Sequence, residues 1–324
     1  MLERATEAPT GALARRGGSP SGPVEHTEVG IHRASWEYTT ANLTGLGHTF
    51  VIRTTEPRLG AYLDDVLTGL STPLESSPDT TYSLVTTDDE PWPYSLHVND
   101  KQIGCSDDGA YILDYLLWHL NRQAIERSSD SVLLHAAGVE RNGICVILPA
   151  QMECGKTTLA AGLVRSGFRY YTDEAVAIDP KDLIVTPYAK PFSIDKGSWE
   201  VLADLEPTVD EVVRPLVAKQ WQVPITAFHG GEVAEPLVPR LIIHPKYRAG
   251  AVTELEPVSR PEMLLTLMDL TFGFRDQPAR NLATLGAVAA GSDCYRLTVG
   301  ELDTACHLIG ELVTGLADPA RSLT

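Results

Sequence analysis

The residues best suited to chemistry lie in one stretch, 150–157, which reads AQMECGKT. This stretch matches the phosphate-loop pattern G-x-x-x-x-G-K-[ST], except that Ala150 replaces the first glycine. In such a loop Gly155 lets backbone N–H groups approach phosphate oxygens, Lys156 neutralises the β- and γ-phosphates, and the Thr157 hydroxyl ligates Mg²⁺. The start of the following helix adds the positive end of its dipole. The alternative is an ordinary strand-to-helix turn whose lysine binds no ligand.

This pattern predicts an ATP site formed by the loop and the residue that follows it. The predicted nucleotide-binding residues are Ala150, Gln151, Met152, Glu153, Cys154, Gly155, Lys156, Thr157 and Thr158. A methyl group disfavours a positive φ by ~1 kcal/mol. We therefore expect a negative φ at Ala150 and a loop shaped differently from one that a glycine opens.

Asp173 and Glu174 are the carboxylates best placed to act with this loop. They follow a strand predicted over 168–172, and acidic residues at strand ends beside a phosphate loop hold magnesium or take a proton. We predict a Mg²⁺ site formed by Thr157, Asp173 and Glu174, with a solvated turn as the alternative. His135 lies near the end of an apolar run, where a lone histidine is more often a buried core residue.

The elements around these residues predict an α/β core. Asn142-Gly143 separates two apolar runs and is typical of a hairpin turn, because both turn positions need a positive φ. Strands are predicted at 133–140, 144–148, 168–172, 175–178 and 239–244, and helices at 108–127, 159–165 and 262–274. Strand, loop, helix and strand in this order are typical of an α/β domain.

The segment from His135 to Asp179 resembles the catalytic core of the bacterial HPr kinase/phosphorylase family. That family has a histidine, a strand hairpin, a phosphate loop ending in GKS and an Asp-Asp pair, in the order and spacing seen here. Asp173-Glu174 stands in place of that pair. A broader group of HPr kinase-related proteins is similar over about 130–275. The shared motifs are LLHAAGV, LPAQMECGKTTLAAGLVRSGF, TDEAVAID, KPFSIDKGSW and IIHPKYRAG.

The resemblance implies a P-loop kinase core of the HPr kinase type, similar to the nucleotide fold of phosphoenolpyruvate carboxykinase. It implies Asp173 as general base, His135 as its neighbour and Lys156 as the phosphate-binding lysine, with ATP and Mg²⁺ bound. Ala150 and Glu153 replace glycines of the family's loop, which implies weaker nucleotide binding or an altered loop. KPFSIDKGSW stands in the place of the family's glycine-rich dephosphorylation signature. We therefore expect no phosphorylase activity and an acceptor other than HPr.

The expected activity is transfer of the ATP γ-phosphate to a hydroxyl of a peptide, a carrier protein or a small molecule. Two alternatives stay open: a nucleotide-binding regulator or scaffold without phosphotransfer, and an ATP hydrolase that acts as a switch. The segment 187–199 carries Lys190 and Lys196 and is either an acceptor-binding loop or a surface connector. Arg248 either stabilises transferred charge or forms a structural ion pair.

The rest of the chain predicts a second domain and a tail. Residues 1–28 are rich in Ala, Gly, Pro, Ser and Thr and are expected to form a disordered tail. Residues 29–127 mix short strands with helical segments and predict a small α+β N-terminal domain. Residues 128–324 are then the kinase-like α/β domain.

Composition excludes several classes of function. The chain has 26 Lys+Arg against 43 Asp+Glu, a net charge of −17, which argues against nucleic acid or an anionic membrane as partner. No apolar run approaches the ~18 residues of a spanning helix, and no secretory signal is found. The five cysteines show no CxxC spacing and fit a reducing compartment, so we expect a cytoplasmic protein. Homo-oligomerisation stays open.

Overall fold

The computed structural model describes residues 34–73, 77–87 and 92–317, so the tail predicted over 1–28 lies outside the described residues. The chain divides into two compact units. Of the described residues, the first unit holds those up to Ala124 together with Thr208–Gln220, and the second holds Ile125–Pro207 and the chain from Trp221 onward. Among the described helices, none combines the length and apolar character that crossing a bilayer requires.

The first unit is built around a six-stranded sheet. Its strands are β1 (Tyr38–Thr39), β2 (Leu43–Gly45), β3 (His48–Thr54), β4 (Thr80–Thr86), β5 (Tyr94–Val98) and β6 (Lys101–Ser106). They lie in the order β1-β3-β4-β5-β6, with β2 paired to β3. Its helices are α1 (Pro57–Val66) and α2 (Gly109–Arg127), the last residues of which belong to the second unit.

The segment Thr208–Gln220 completes the first unit from far along the sequence. Its Leu216 is 3% exposed and packs at the start of α2, where a Cβ built on Gly109 would lie 3.1 Å from Leu216 Cγ. Lys219 forms an ion pair with Asp108, the residue before α2. The acidic tract 205–215, which its composition predicts to be a solvated face or loop, overlaps this segment, but its Val213 is 1% exposed.

The second unit contains an eight-stranded mixed sheet with helices on both faces. Its strands are β7 (Val132–Arg141), β8 (Ile144–Pro149), β9 (Arg169–Thr172), β10 (Ala175–Ile178), β11 (Val185–Thr186), β14 (Pro239–Tyr247), β15 (Glu254–Pro257) and β16 (Asp293–Val299). A separate two-stranded sheet pairs β12 (Phe192–Asp195) with β13 (Gln220–Val223). Its helices are α3 (Lys156–Arg165), α4 (Arg260–Asp269), α5 (Pro278–Gly291) and α6 (Leu302–Ala317).

The strand order β11-β10-β7-β8-β14-β16-β15 places β8 between an antiparallel and a parallel neighbour. β7 runs antiparallel to β8, whereas β14 runs parallel to both β8 and β16. β9 and β10 both pair antiparallel with β7, one after the other along its length. These two strands are therefore halves of one strand that is interrupted at 173–174.

An apolar cluster lies on each face of this sheet, between the sheet and the helices on that face. The unit therefore has three layers, with the sheet between two layers of helices. Alternate residues of β7 enter different clusters: Ala137 and Val139 face α3 and α6, and Leu134 and Ala136 face α4 and α5. This alternation follows from the period of two in a strand. The predicted α/β class is confirmed at this coarse level, as a mixed α/β fold.

The predicted hairpin between β7 and β8 is present, and Asn142 and Gly143 have φ of 55° and 76°. The helix predicted over 262–274 is α4 but ends at Asp269, which is shorter than predicted. The reason is that the chain beyond α4 turns to pair with β7: Thr271 forms a bridge with Leu134, and Phe272 N donates to Leu133 O at 2.9 Å.

Candidate functional site

The 150–157 loop follows the C-terminal end of the central buried strand β8 and connects it to α3. Ala150 is fully buried and has a negative φ, as its methyl group predicted. The positive φ values of the loop occur instead at Glu153 (61°) and at Gly155 (83°), the N-cap of α3. Gly155 thus provides the left-handed residue that turns the chain into the helix, whereas Glu153 adopts this conformation with a side chain.

Lys156 is the first residue of α3, and its ammonium group points back under the loop. Its Nζ donates to the carbonyl oxygen of Gln151 at 3.2 Å and lies 3.2 Å from His135 Nε2. The side chain is buried, and this burial lowers the pKa of Lys156, while Glu174 and Asp173 favour the charged form. Lys156 therefore bridges the loop and β7.

His135 lies on β7 beside the end of β8, and its carbonyl accepts from Ala150 N at 3.4 Å. Because Lys156 donates to Nε2, the imidazole is neutral with its proton on Nδ1. Burial, and then the neighbouring charge of Lys156, lower the pKa of His135 to about 3. Nδ1 is buried without a hydrogen-bond partner among the described residues, and Phe272 packs edge-on against the ring.

Asp173 occupies the interruption between β9 and β10 and is 3% exposed. Its Oδ1 accepts from Tyr170 Oη at 2.9 Å and pairs with Lys190 Nζ at 2.7 Å. Lys190 Nζ also donates to Pro191 O at 3.1 Å. The carboxylate is thus held by a buried cation and a phenol, and burial together with Asp173 raises the pKa of Tyr170.

Glu174 differs from Asp173 although the two are adjacent. It is half-buried, and in the described part of the chain its carboxylate has no hydrogen bond or ion pair. Burial raises the pKa of Glu174, while the charges of Lys190 and Lys156 oppose this shift. Its oxygens are therefore free to take a cation or a proton donor.

The other loop residues differ in exposure. Gln151, Met152 and Glu153 are exposed, and Cys154 and Thr157 are half-buried. The Thr158 hydroxyl lies 2.6 Å from Ser198 Oγ, which ties the start of α3 to the 187–199 segment. Thr158 is thus engaged within the protein, and Thr157 has the hydroxyl that remains for a ligand.

The donors predicted for Mg²⁺ fit a cation only in part. Across the described ranges, no group of three or more His, Cys, Asp or Glu side chains is arranged to hold a metal ion. Thr157 and Glu174 offer unengaged oxygens, and Asp173 has one oxygen already occupied. A magnesium ion would therefore take most of its ligands from phosphate oxygens and water, which is how Mg²⁺ is commonly bound with nucleotides.

Two residues of this site carried no clear signal in the sequence. Lys190 was considered as part of an acceptor-binding loop or a surface connector, but it is 4% exposed and forms the ion pair with Asp173. The sequence predicts Tyr170 as a strand residue of the core. Only the fold shows that its hydroxyl donates a hydrogen bond to Asp173. Arg248 is exposed and makes no ion pair within the described residues, so its structural alternative is not supported.

No protein-family model matches the chain. A search of curated proteins finds no match either.

Proposed function

We propose that this protein is an ATP-dependent kinase of the P-loop type, similar to HPr kinases, which transfers the γ-phosphate to a hydroxyl. One observation carries the proposal: Lys156, at the N-terminus of α3, lies 3.2 Å from His135 beside the Asp173–Lys190 pair. A loop with left-handed turns, a helix N-terminus and two buried lysines provide positive charge for a triphosphate. Carboxylates at the same place provide a proton acceptor and cation ligands.

In this mechanism the chain's own residues act mainly by positioning and charge stabilisation. Lys156 and the loop amides bind the phosphates, and neutral His135 holds the Lys156 ammonium at its place. Asp173 accepts the proton of the acceptor hydroxyl through its second carboxylate oxygen, while Lys190 holds the carboxylate in place through the ion pair to Oδ1. Thr157 and Glu174 would hold Mg²⁺, which supplies charge neutralisation between the phosphates when bound.

The first experiment measures nucleotide binding through thermal stability. Mg-ATP should raise the melting temperature of the wild type, because a ligand that binds the folded state stabilises it by mass action. Lys156→Ala should lose most of this stabilisation. The matched control is Lys181→Ala, which removes an exposed lysine beyond the far end of β10 and should keep the full shift. Equal stabilisation of wild type and Lys156→Ala by Mg-ATP contradicts the proposal.

A second candidate function is a nucleotide-binding regulator without phosphotransfer. Glu153 favours it, because this exposed loop residue places a carboxylate where phosphates would approach and adopts a φ of 61°. The two functions separate in one assay with a peptide or carrier protein as acceptor. A mass gain of one phosphate on the acceptor supports the kinase, release of inorganic phosphate alone supports a hydrolase switch, and tight Mg-ATP binding with neither supports the regulator.

A further inference from the structure

Tyr247 lies directly beside the 150–157 loop, on the side away from β7. It is the last residue of β14, the parallel neighbour of β8. A Cβ built on Gly155 would lie 3.3 Å from the Cβ of Tyr247. The end of β14 and the turn into α3 are therefore in van der Waals contact distance of each other.

The phenol side chain of Tyr247 is available to a ligand. It is 56% exposed, and within the described ranges its ring makes no ring contact and its hydroxyl no hydrogen bond. Its chain neighbours Lys246 and Arg248 are exposed as well. A single exposed aromatic residue is ordinary in proteins; its position next to the loop is what suggests a role.

The placement of the other groups determines which part of a nucleotide would reach Tyr247. His135, Asp173 and Lys190 lie on the β7 side of the loop, and there they would meet the phosphate that is transferred. β8 lies between β7 and β14 in the sheet, so Tyr247 is on the opposite side. In α/β folds ligands bind beyond the carboxyl ends of parallel strands, and β8 and β14 both end here.

We propose that Tyr247 stacks on the base of the nucleoside triphosphate whose phosphates the 150–157 loop binds. This inference rests on the proposed ATP site and adds a base-binding residue to it. Stacking on an aromatic side chain tolerates different bases, because every base has a π-face. The site would thus bind nucleotides with modest discrimination among bases and would favour a nucleotide over a bare polyphosphate.

The test compares Mg-ATP with Mg-tripolyphosphate, which has the phosphates without the base. Titration calorimetry gives both affinities for the wild type, Tyr247→Ala and Tyr247→Phe. Loss of a base stack weakens binding by roughly tenfold to a hundredfold. We expect Tyr247→Ala to lose that factor for Mg-ATP and to keep wild-type affinity for Mg-tripolyphosphate, and Tyr247→Phe to behave as the wild type.

Other outcomes overturn the inference in distinguishable ways. If Tyr247→Ala binds Mg-ATP as tightly as the wild type, Tyr247 makes no stack. If it loses both ligands equally while its melting temperature without ligand is unchanged, Tyr247 shapes the loop through Gly155 and does not contact the base. If the wild type binds neither ligand, the ATP site itself is absent and the inference falls with it.

Discussion

The contact between Lys156 and His135 couples the charge of one residue to the protonation of the other. A protonated His135 would place a second positive charge 3.2 Å from the Lys156 ammonium inside the protein. Burial makes such a pair costly. The fold therefore keeps a neutral imidazole next to a charged lysine, and lowering the pH works against this arrangement.

This coupling predicts a pH dependence of stability. The pKa of His135 falls from 6.5 to about 3 on folding, so between these values the unfolded chain binds a proton that the folded chain does not. Stability should decrease as the pH falls from about 7 to 4, by a few kcal/mol since one pKa unit corresponds to ~1.4 kcal/mol. Urea unfolding of wild type and His135→Gln measures it, because glutamine still accepts from Lys156 but does not titrate. Parallel curves for the two proteins would refute the assignment.

The ion pair of Asp173 and Lys190 makes a second prediction at this scale. Asp173→Asn leaves the buried Lys190 charge without its partner, and breaking a buried pair costs about 3–5 kcal/mol. We expect a loss of that order in the free energy of unfolding, and a smaller loss in Asp173→Asn combined with Lys190→Met. Asp204→Asn is the control: it removes an exposed partner of Arg165 and should cost less than ~1 kcal/mol.

This prediction changes how an activity loss in Asp173→Asn is to be understood. The substitution also disturbs the buried pair, so a fall in phosphotransfer identifies a general base only if the variant remains folded at the assay temperature. If Asp173→Asn costs no more stability than Asp204→Asn, the pair is not as buried as the structure has it.

Among the elements, α3 and α6 approach each other closely because α3 has a glycine at their contact. A Cβ built on Gly162 would lie 2.8 Å from Leu302 Cδ1 and 2.9 Å from Cys306 Sγ. A methyl group at this position would require the buried side chains of Leu302 and Cys306 to change rotamer or α6 to shift. The packing of α6 against α3 thus depends on the absence of one side chain.

Two glycine-to-alanine substitutions in helices should therefore have opposite effects. Gly162→Ala should destabilise by about 1–3 kcal/mol, because overpacking outweighs the better helix propensity. Gly286→Ala in α5 should stabilise by about 0.5–1 kcal/mol, because a Cβ there meets nothing within 4 Å. Thermal and urea unfolding check both, and stabilisation by Gly162→Ala would show that the two helices pack less closely.

The local elements of the second unit were largely predictable, and the reasons for the misses are tertiary. The hairpin at Asn142-Gly143 follows from turn chemistry alone, and β10 spans the residues predicted for it. The end of α4 could not be predicted in this way. The apolar spacing continues past Asp269, whereas the backbone leaves the helix there and pairs with β7. Lys190 is the clearest case at the site: its turn-like surroundings suggest a surface, and only the position of Asp173 makes it a buried cation.

At the scale of the whole molecule, the first unit depends on Thr208–Gln220, which the sequence places inside the second half of the chain. Composition indicated a boundary near residue 127 and assigned everything beyond it to one domain. No local pattern reveals that Leu216 packs at the start of α2, because this contact joins residues far apart in the sequence.

A substitution in this segment should consequently destabilise the first unit, most of which lies more than 80 residues earlier in the sequence. Leu216→Ala removes a buried side chain and should cost about 2–5 kcal/mol in local stability. Amide hydrogen exchange should become faster in the strands β3 to β6 and remain unchanged in β8 and α3. Leu163→Ala, a buried position of α3, should give the reverse pattern. Faster exchange in α3 on Leu216→Ala would mean that the segment belongs with the second unit.

The path of the chain through Thr208–Gln220 also constrains the order in which the protein can fold during synthesis. When Ala124 has emerged from the ribosome, the first unit still lacks the segment Thr208–Gln220, whose Leu216 packs at the start of α2. That segment follows only after the β7–β8 hairpin, the loop and α3 have been translated. At roughly 5–20 residues per second, the delay is on the order of ten seconds. During this interval a nascent chain exposes the apolar surface that Leu216 later covers, so this surface is open to aggregation until Thr208–Gln220 has been translated.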